Sequence, residues 1–350
     1  MPRNGKTPTS FNKRPTMNDV AKRAGVSPVS VSRVMNNHPS VKESTKEKVR
    51  KAVEDLGYFP NAAAQEMRTN SSDSIGVIIT DISNTANGQI LQGAESVINQ
   101  AGKLMIATHS NFDIEREQML IEHMQRRRVA GIILQTGHEE SENLHRQIKN
   151  CTVPIVVLDR DLPFEIDSVI CEHYMAARET VRYLIELGHR RIGLIAAETT
   201  TRPGHERVRG YCDELEAAGI AIDQSLIRSG SHLTEHGLHE TKSMMALSEP
   251  PTAIFAGGNH LYIGCLQAVR SLGLKIPEDI SVVGADEAEF SALFTPPLTI
   301  VNRDMAQLGK KAAELLLSRI ENTLSDEPRK LVIPSQVILR SSCASPSQHL

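Results

Sequence analysis

Residues 16–36 read TMNDVAKRAGVSPVSVSRVMN, and this stretch decides how the chain begins. Thr16 stands three residues before Asp19, the spacing of a reciprocal helix cap. Val20, Ala21 and Ala24 then give one small apolar face, and Gly25 stops the helix as a C-terminal glycine does. Ser27 caps a second helix whose first turn holds Pro28, where a missing N–H costs nothing. In that helix Val31 and Val34 point inward together. Pro28, Val29, Ser30, Ser32 and Arg33 are left on exposed or end-on surface. A third helix is expected over 42–56, with Val49, Val53 and Leu56 inward and Gly57 as its stop.

Helix, glycine turn, helix is the layout that places a second helix N-terminus first into a DNA major groove. The residue types suit that task. Arg33 offers a bidentate fork to guanine, and Pro28 and Val29 can rest on thymine methyls. Ser27, Ser30, Ser32 and Asn36 are short donors suited to phosphates, which fix register without reading sequence. Thr16 and Thr45 complete the expected DNA-facing set. Charge agrees: through Ser72 thirteen Lys and Arg stand against six Asp and Glu, a net +7, leaving −10 for the rest of a chain whose total is −3. A basic head on an acidic body points to a polyanionic partner.

Several classes fall away. The opening MPRNGKTPTSFNKRP is basic with no apolar core behind it, so it reads as a disordered arm (1–15) rather than a secretory signal. No apolar run approaches the roughly 20 residues of a membrane span, and a cytoplasmic protein is expected. The five cysteines are scattered without a C-x-x-C pair, which argues against a disulfide framework or thiolate zinc site. His232, His236 and His239 stand at helical spacing, a pattern that can hold zinc but is more ordinarily a solvated face, and no H-E-x-x-H is present. No cofactor is expected.

From Ile75 the pattern turns to short β-branched runs alternating with helices. IGVIIT, KLMIAT, AGIILQ and PIVVLD form one set; RIGLIA, AIFAG and ISVVGAD form a second. The alternation predicts doubly wound parallel sheets in two α/β lobes, with a ligand cleft at the strand carboxyl ends. An enzyme remains one rival reading, although no G-x-G-x-x-G, Walker or G-x-S-x-G motif is present. A small-molecule-binding protein is another, disfavoured by the basic head.

The head, together with TKEKVRKAVEDLGYFPNAAAQ (45–65), closely resembles the LacI/GalR family of bacterial transcription regulators. LGHRRIGLIA, RVRGY, PEDISVVGADEAEF and TPPLTIV extend the resemblance, more loosely, over the body. It implies an all-α helix-turn-helix head (16–59), a hinge helix and linker (60–72), and a core similar to periplasmic sugar-binding proteins (73–341). In the hinge, Tyr58, Pro60, Asn61 and Ala64 match the family pattern, and Met67 takes the place of the apolar lever that wedges into the minor groove. The resemblance also implies three crossings between lobes, dividing the core into about 73–171 with 302–326 and about 172–301 with 327–341. The tail, 342–350, carries no leucine heptad and is expected to be flexible, so a homodimer on a near-palindromic operator is expected.

The same resemblance places the small-molecule effector in the cleft. Asn84, Asn87, Ser110, Thr136 and Arg160 are expected from the first lobe, beside Asp81, Gln135 and Asp159. Glu172, Arg207, Asn259, His260 and Asp286 are expected from the second, with Arg207 foremost because a guanidinium suits paired hydroxyls or a carboxylate. Three departures bear on the ligand. NTAN replaces an aromatic platform, His260 follows Asn259 where relatives have aspartate, and Glu172–His173 replaces an Asp–Asn pair. These favour a polar, anionic ligand, a sugar acid or phosphorylated sugar ahead of a neutral sugar, for a repressor of a carbohydrate or sugar-acid catabolic operon.

Overall fold

A computed structural model describes residues 15–36, 38–59, 73–286, 289–323 and 325–346. The hinge residues Asn61 and Met67, with Pro60 and Ala64, lie outside the described residues, as does nearly all of the basic arm. The chain divides into two compact units, residues 1–71 and 72–350.

In the first unit, α1 (Met17–Ala24) opens on the expected reciprocal cap. The Thr16 N–H donates to Asp19 Oδ2 (2.8 Å) while Thr16 Oγ1 accepts from the Asp19 N–H (3.3 Å). Gly25 closes the helix at φ 67°, backbone that side chains rarely adopt. Ser27 caps α2 (Pro28–Met35) by accepting from the Ser30 N–H, and α3 (Glu43–Leu56) ends on Gly57 at φ 58°. Lys42 is therefore the N-cap of α3 rather than its first residue. Val20, Ala21, Val31, Val34, Val49, Ala52 and Tyr58 form the core. So small a core gains from the ion pair of Arg23 with Asp55 (2.8 Å), which ties α1 to α3.

The second unit holds two six-stranded sheets of matching order. The first runs β11–β5–β4–β3–β1–β2, from Lys330–Ile333, Ser168–Cys171, Ile155–Leu158, Gly131–Leu134, Ser74–Ile79 and Leu104–His109. The second runs β12–β10–β9–β8–β6–β7, from Ser335–Ile338, Thr299–Arg303, Ser281–Ala285, Ala253–Gly257, Ile192–Ala197 and Ile227–Gly230. All pairings are parallel except β10 with β12, so the second sheet is not purely parallel. The central strands are buried on both faces, which is why they read as unbroken apolar runs.

Helices cover both faces. In the first lobe α4 (Thr85–Gln100) packs against the helix Met305–Ile320, and the glycines explain how closely. A Cβ on Gly93 would lie 2.0 Å from Ala306 O, and one on Gly309 would lie 2.0 Å from Ile90 O.

The chain crosses between sheets at Glu172, at Asp304 and at Pro334. The third crossing corrects the expected division. Residues 330–333 pair with β5 in the first sheet, and only the strand after Pro334 joins the second. Proline has no N–H to continue a ladder, so it separates two four-residue strands that belong to different lobes. Residues 302 and 303, expected in the first lobe, lie in β10 of the second. The tail also differs from expectation. Ser342 is fully buried and bonds Val282 O through its hydroxyl (2.6 Å), and Ala344 exchanges bonds with Ser281 Oγ (3.1 Å each). Residues 342–346 thus extend the packing of β9; 347–350 lie outside the described residues.

Candidate functional site

The first unit presents α2 as a polar ridge. Ser27, Pro28, Arg33 and Asn36 are exposed and Val29 is 61% exposed, an apolar side chain held in solvent at the helix start. Ser30, Ser32 and Thr45 are half-buried, and Thr16 is exposed. Some of the expected donors already have partners: Thr16 and Ser27 are caps, and the Ser27 and Ser30 hydroxyls lie 2.9 Å apart. Arg33 has no side-chain hydrogen bond or ion pair among the described residues, so its fork is available to an outside acceptor.

In the second unit a cavity of about 240 Å³ lies between the carboxyl ends of the two sheets. Of the expected ligand residues, Asn84, Asn87, Arg160, Arg207, Asn259, His260 and Asp286 line it. Three do not. Ser110 is fully buried behind the lining, and Thr136 is occupied within its own turn, its hydroxyl accepting from the His138 N–H (2.8 Å). Glu172 caps the helix His173–Glu186, accepting from the Met175 N–H (3.3 Å). A carboxylate is a good helix cap, and that local use takes it out of the cleft.

The cavity floor is an ion network. Arg303, at the end of β10, donates Nε to Asp286 Oδ1 (2.7 Å), places Nη2 on the same oxygen, and reaches Asp159 Oδ2 with Nη1 (3.2 Å). Asp159 and Asp286 hold equivalent places after the third strand of each sheet, both with positive φ (51° and 73°). Asp159 also accepts from the Cys171 N–H (2.9 Å) and from His173 Nε2 (2.9 Å). Burial alone would raise the Asp159 carboxyl, but His173 and Arg303 on its oxygens, with Arg160 near, hold it well below the usual carboxylate range. Burial pushes His173 down to about 4, with Arg207 and Arg303 working against the pull of Asp159. His173 is then neutral at pH 7, so charge compensation of Asp159 falls to Arg303.

Arg207 is different. It is 5% exposed and has no hydrogen bond or ion pair among the described residues. Burial, followed by Arg303, pushes it down to about 10, still charged at neutral pH. Gly257 makes room for it, since a Cβ there would come within 2.8 Å of Arg207 Cδ. The other arginine expected in the lining is largely occupied: Arg160 Nε bonds Thr136 O (2.7 Å), Nη1 bonds Asp159 O (2.8 Å), and Glu139 lies 3.4 Å away.

Several expected ligand groups instead join the lobes. Asn259 Nδ2 reaches Asn84 Oδ1 (3.2 Å) and Thr85 Oγ1 (2.9 Å), and His260 Nε2 lies 3.3 Å from Asp81 Oδ2. Asn87 Nδ2 is held by Asp81 O (2.7 Å), and Gln135 Oε1 accepts from Thr80. Phe112, His138, His232 and Arg303 line the cavity without having been expected there. Phe112 and His232 stack at 3.5 Å, so an aromatic face exists, supplied from a place other than the NTAN segment. The signal for Phe112 was weak because Asn111 and Phe112 both sit at φ 56°, a turn that no glycine announces. His232, His236 and His239 do not converge, and among the described residues no group of three metal-ligating side chains is found.

Residues 16–61 match the family described as bacterial regulatory proteins, lacI family, and residues 181–343 match a periplasmic binding protein-like domain. The HTH-type transcriptional repressor PurR of Pectobacterium carotovorum is 32% identical over 333 residues, 95% of this chain and 98% of that protein. The chain belongs to the lacI family. Catabolite control protein A of Priestia megaterium is 31% identical, over 93% of this chain and 98% of its own length. Among solved structures, a lac repressor dimer bound to operator and the anti-inducer ONPF superposes with a TM-score of 0.86 at 29% identity, covering 95% of this chain and 100% of the other. This lacI-family member is a DNA-binding transcriptional regulator and not an enzyme. Among the described residues no helix is long and apolar enough to cross a membrane.

Proposed function

We propose that the chain is a homodimeric repressor of a carbohydrate or sugar-acid catabolic operon, controlled by a small polar anion in the inter-lobe cavity. The observation that carries the ligand class is Arg207, a buried guanidinium lining the cavity with no partner among the described residues. Its donors call for paired acceptors, and a carboxylate or phosphate meets a guanidinium fork with two parallel bonds. The cavity, at about 240 Å³, suits a monosaccharide-sized molecule, below the range of drug-sized ligands. The Phe112–His232 rings offer such a molecule an apolar flank.

Two heads on a near-palindromic operator fit the resemblance to the lac repressor dimer bound to operator. On that reading Arg33 reads a base edge and Val29 a thymine methyl, the lever assigned to Met67 acts at the centre of the site, and the ligand acts by preferring one lobe arrangement. A neutral sugar is the second reading, because one solved relative is described as a CelR–cellobiose complex. Titration calorimetry of the full chain against neutral sugars, sugar acids and sugar phosphates, repeated on Arg207→Ala, separates them. Heat from acids or phosphates that vanishes in the variant supports the anion; heat from neutral sugars alone refutes it.

A further inference from the structure

The polar contacts that join the lobes around the cavity differ in what controls them. Arg202, from the second lobe, donates its backbone N–H to Glu139 Oε1 (2.7 Å) and pairs through Nη1 with Asp161 Oδ2 (2.5 Å). That guanidinium keeps its charge at any physiological pH. The pair of Asp81 with His260 is the other kind, because its strength depends on a proton. Asp81 lies in the loop after β1, and His260 lies in the first turn of the helix Asn259–Ser271 of the second lobe.

Asp81 is already arranged for a cation. Its Oδ1 accepts from the Ser83 N–H (2.8 Å) and hydroxyl (2.7 Å), which turns Oδ2 toward His260. Burial opposes ionisation, but the Ser83 bonds and His260 together hold the carboxyl below its ordinary range. The two side chains are 15% and 21% exposed, so solvent does not fully screen the pair.

The other charged groups facing the pair are few. His232 comes from the loop after β7, stacked on Phe112 of the first lobe; burial pushes it down, Asp81 pulls it up, and His260 and Arg160 push it down further. The helix Thr234–Met245 crosses at Gly237 and Gly264, bringing Glu235, which is exposed, and His236, whose ring lies against Gly230. Asn84, Thr85 and Asn259 beside the pair are uncharged.

We propose that Asp81 and His260 form a proton-operated latch between the lobes, closed by an imidazolium and released by a neutral imidazole. The proposal rests on the cleft being the effector site and names its regulation: acid favours the closed arrangement before any ligand arrives. The attraction is present with the imidazolium and lost with the neutral imidazole, the one common side chain that changes charge so readily. Burial, His260 and Arg160 all work against an imidazolium at His232, with only Asp81 favouring one. A carboxylate at position 260 would instead repel Asp81 across the cleft.

Hydrogen exchange of the full chain without ligand, corrected for intrinsic rates, tests this at pH 5.5 and pH 8.0. The segments to follow are 110–116 and 230–236, on the two sides of the cleft and outside the substituted positions. Wild type should be several-fold more protected at pH 5.5. Asp81→Asn and His260→Asn should abolish the difference, whereas His260→Lys, always charged, should keep high protection at both values. Equal protection of the wild type at the two pH values would overturn the latch, as would an undiminished difference in His260→Asn or a loss at pH 8.0 in His260→Lys. The two His260 variants decide the matter even where Asp81→Asn fails to fold. No ligand enters the measurement, so a failed ligand screen and a failed latch are separate results.

Discussion

Replacing Arg303 with methionine removes the one guanidinium that Asp159 and Asp286 share. Arg303, Asp159 and Asp286 are all buried. Asp159 would keep the Cys171 N–H and His173, while Asp286 would lose every side-chain bond found for it among the described residues. Breaking a buried pair by removing one partner costs about 3–5 kcal/mol, and with two carboxylates affected but one partly supported, about 4 kcal/mol is expected. At roughly 2–4 °C per kcal/mol for a unit of this size, the larger transition should fall by roughly 10 °C. Midpoints are compared because a chain of two units does not unfold in a single step. In the wild type Asp159 is depressed, so its contribution is present above the unfolded value of about 3.9 and lost only as pH falls through its folded value. Without Arg303 burial pushes the Asp159 carboxyl up with less to oppose it, and the folded variant then binds a proton that the unfolded chain releases. Its deficit should therefore shrink between pH 7 and pH 5.5, by up to about 2 kcal/mol for one carboxylate. Scanning calorimetry of both proteins at the two pH values measures this. A loss below about 3 °C, or a loss that does not change with pH, would show that the network is solvated and that Arg303 is not its counter-charge.

Three further outcomes are expected. Arg33→Ala should reduce discrimination between the operator and a variant at one base pair by about 1–3 kcal/mol in fluorescence anisotropy; equal losses on operator and random duplex would make Arg33 a phosphate contact. Arg207→Met should abolish the heat of ligand binding and yet raise the thermal midpoint, since it removes a buried cation that has no partner among the described residues; a large drop in midpoint would mean that a partner exists. Gly309→Ala should destabilise the first lobe by about 1–3 kcal/mol, because its Cβ meets the Ile90 carbonyl of a neighbouring helix that cannot yield cheaply; an unchanged midpoint would mean the helices part freely.

What could be read in advance was what is decided locally. Thr16, Gly25, Ser27 and Gly57 act on backbone groups within a few residues, so the head was legible helix by helix. The buried strands were legible because both of their faces must be apolar. Allocation of short strands to sheets was not: KLVI and SQVI are alike in composition, and only Pro334 between them marks the change of lobe. The docked tail was hidden because its anchors are serine hydroxyls, which suit solvent equally well. In the cleft, Arg207 stood out by residue type. Glu172 misled because a carboxylate that caps a helix and one that grips a ligand look the same in sequence. Phe112 was missed because a left-handed turn through Asn111 and Phe112 turns the ring inward, and residue order does not show it.

The contacts between lobes fall into a hierarchy that decides which of them can signal. Arg303 stands one residue before the crossing at Asp304, and its bonds to Asp159 and Asp286 lie at the cavity floor, beside that crossing. The rim contacts of Asn259, His260, Phe112 and Arg202 are the ones that opening must break. A ligand meeting Arg207 with two charge-assisted bonds gains about 1.5–3 kcal/mol from each. Reversing a 1:99 population needs about 5.5 kcal/mol of preference for one arrangement. Two such bonds, made only when the lobes are closed, can supply that. A half-sheltered pair such as Asp81 with His260 is worth about 1 kcal/mol, enough to shift the midpoint of a ligand titration several-fold but not to reverse the population. Ligand and proton should therefore act on one equilibrium with unequal force. At pH 5.5 a ligand titration of lobe closure should move to lower concentration than at pH 8.0, with the same end point. A proton that closed the cleft completely without ligand would place the controlling interaction at His260 rather than Arg207.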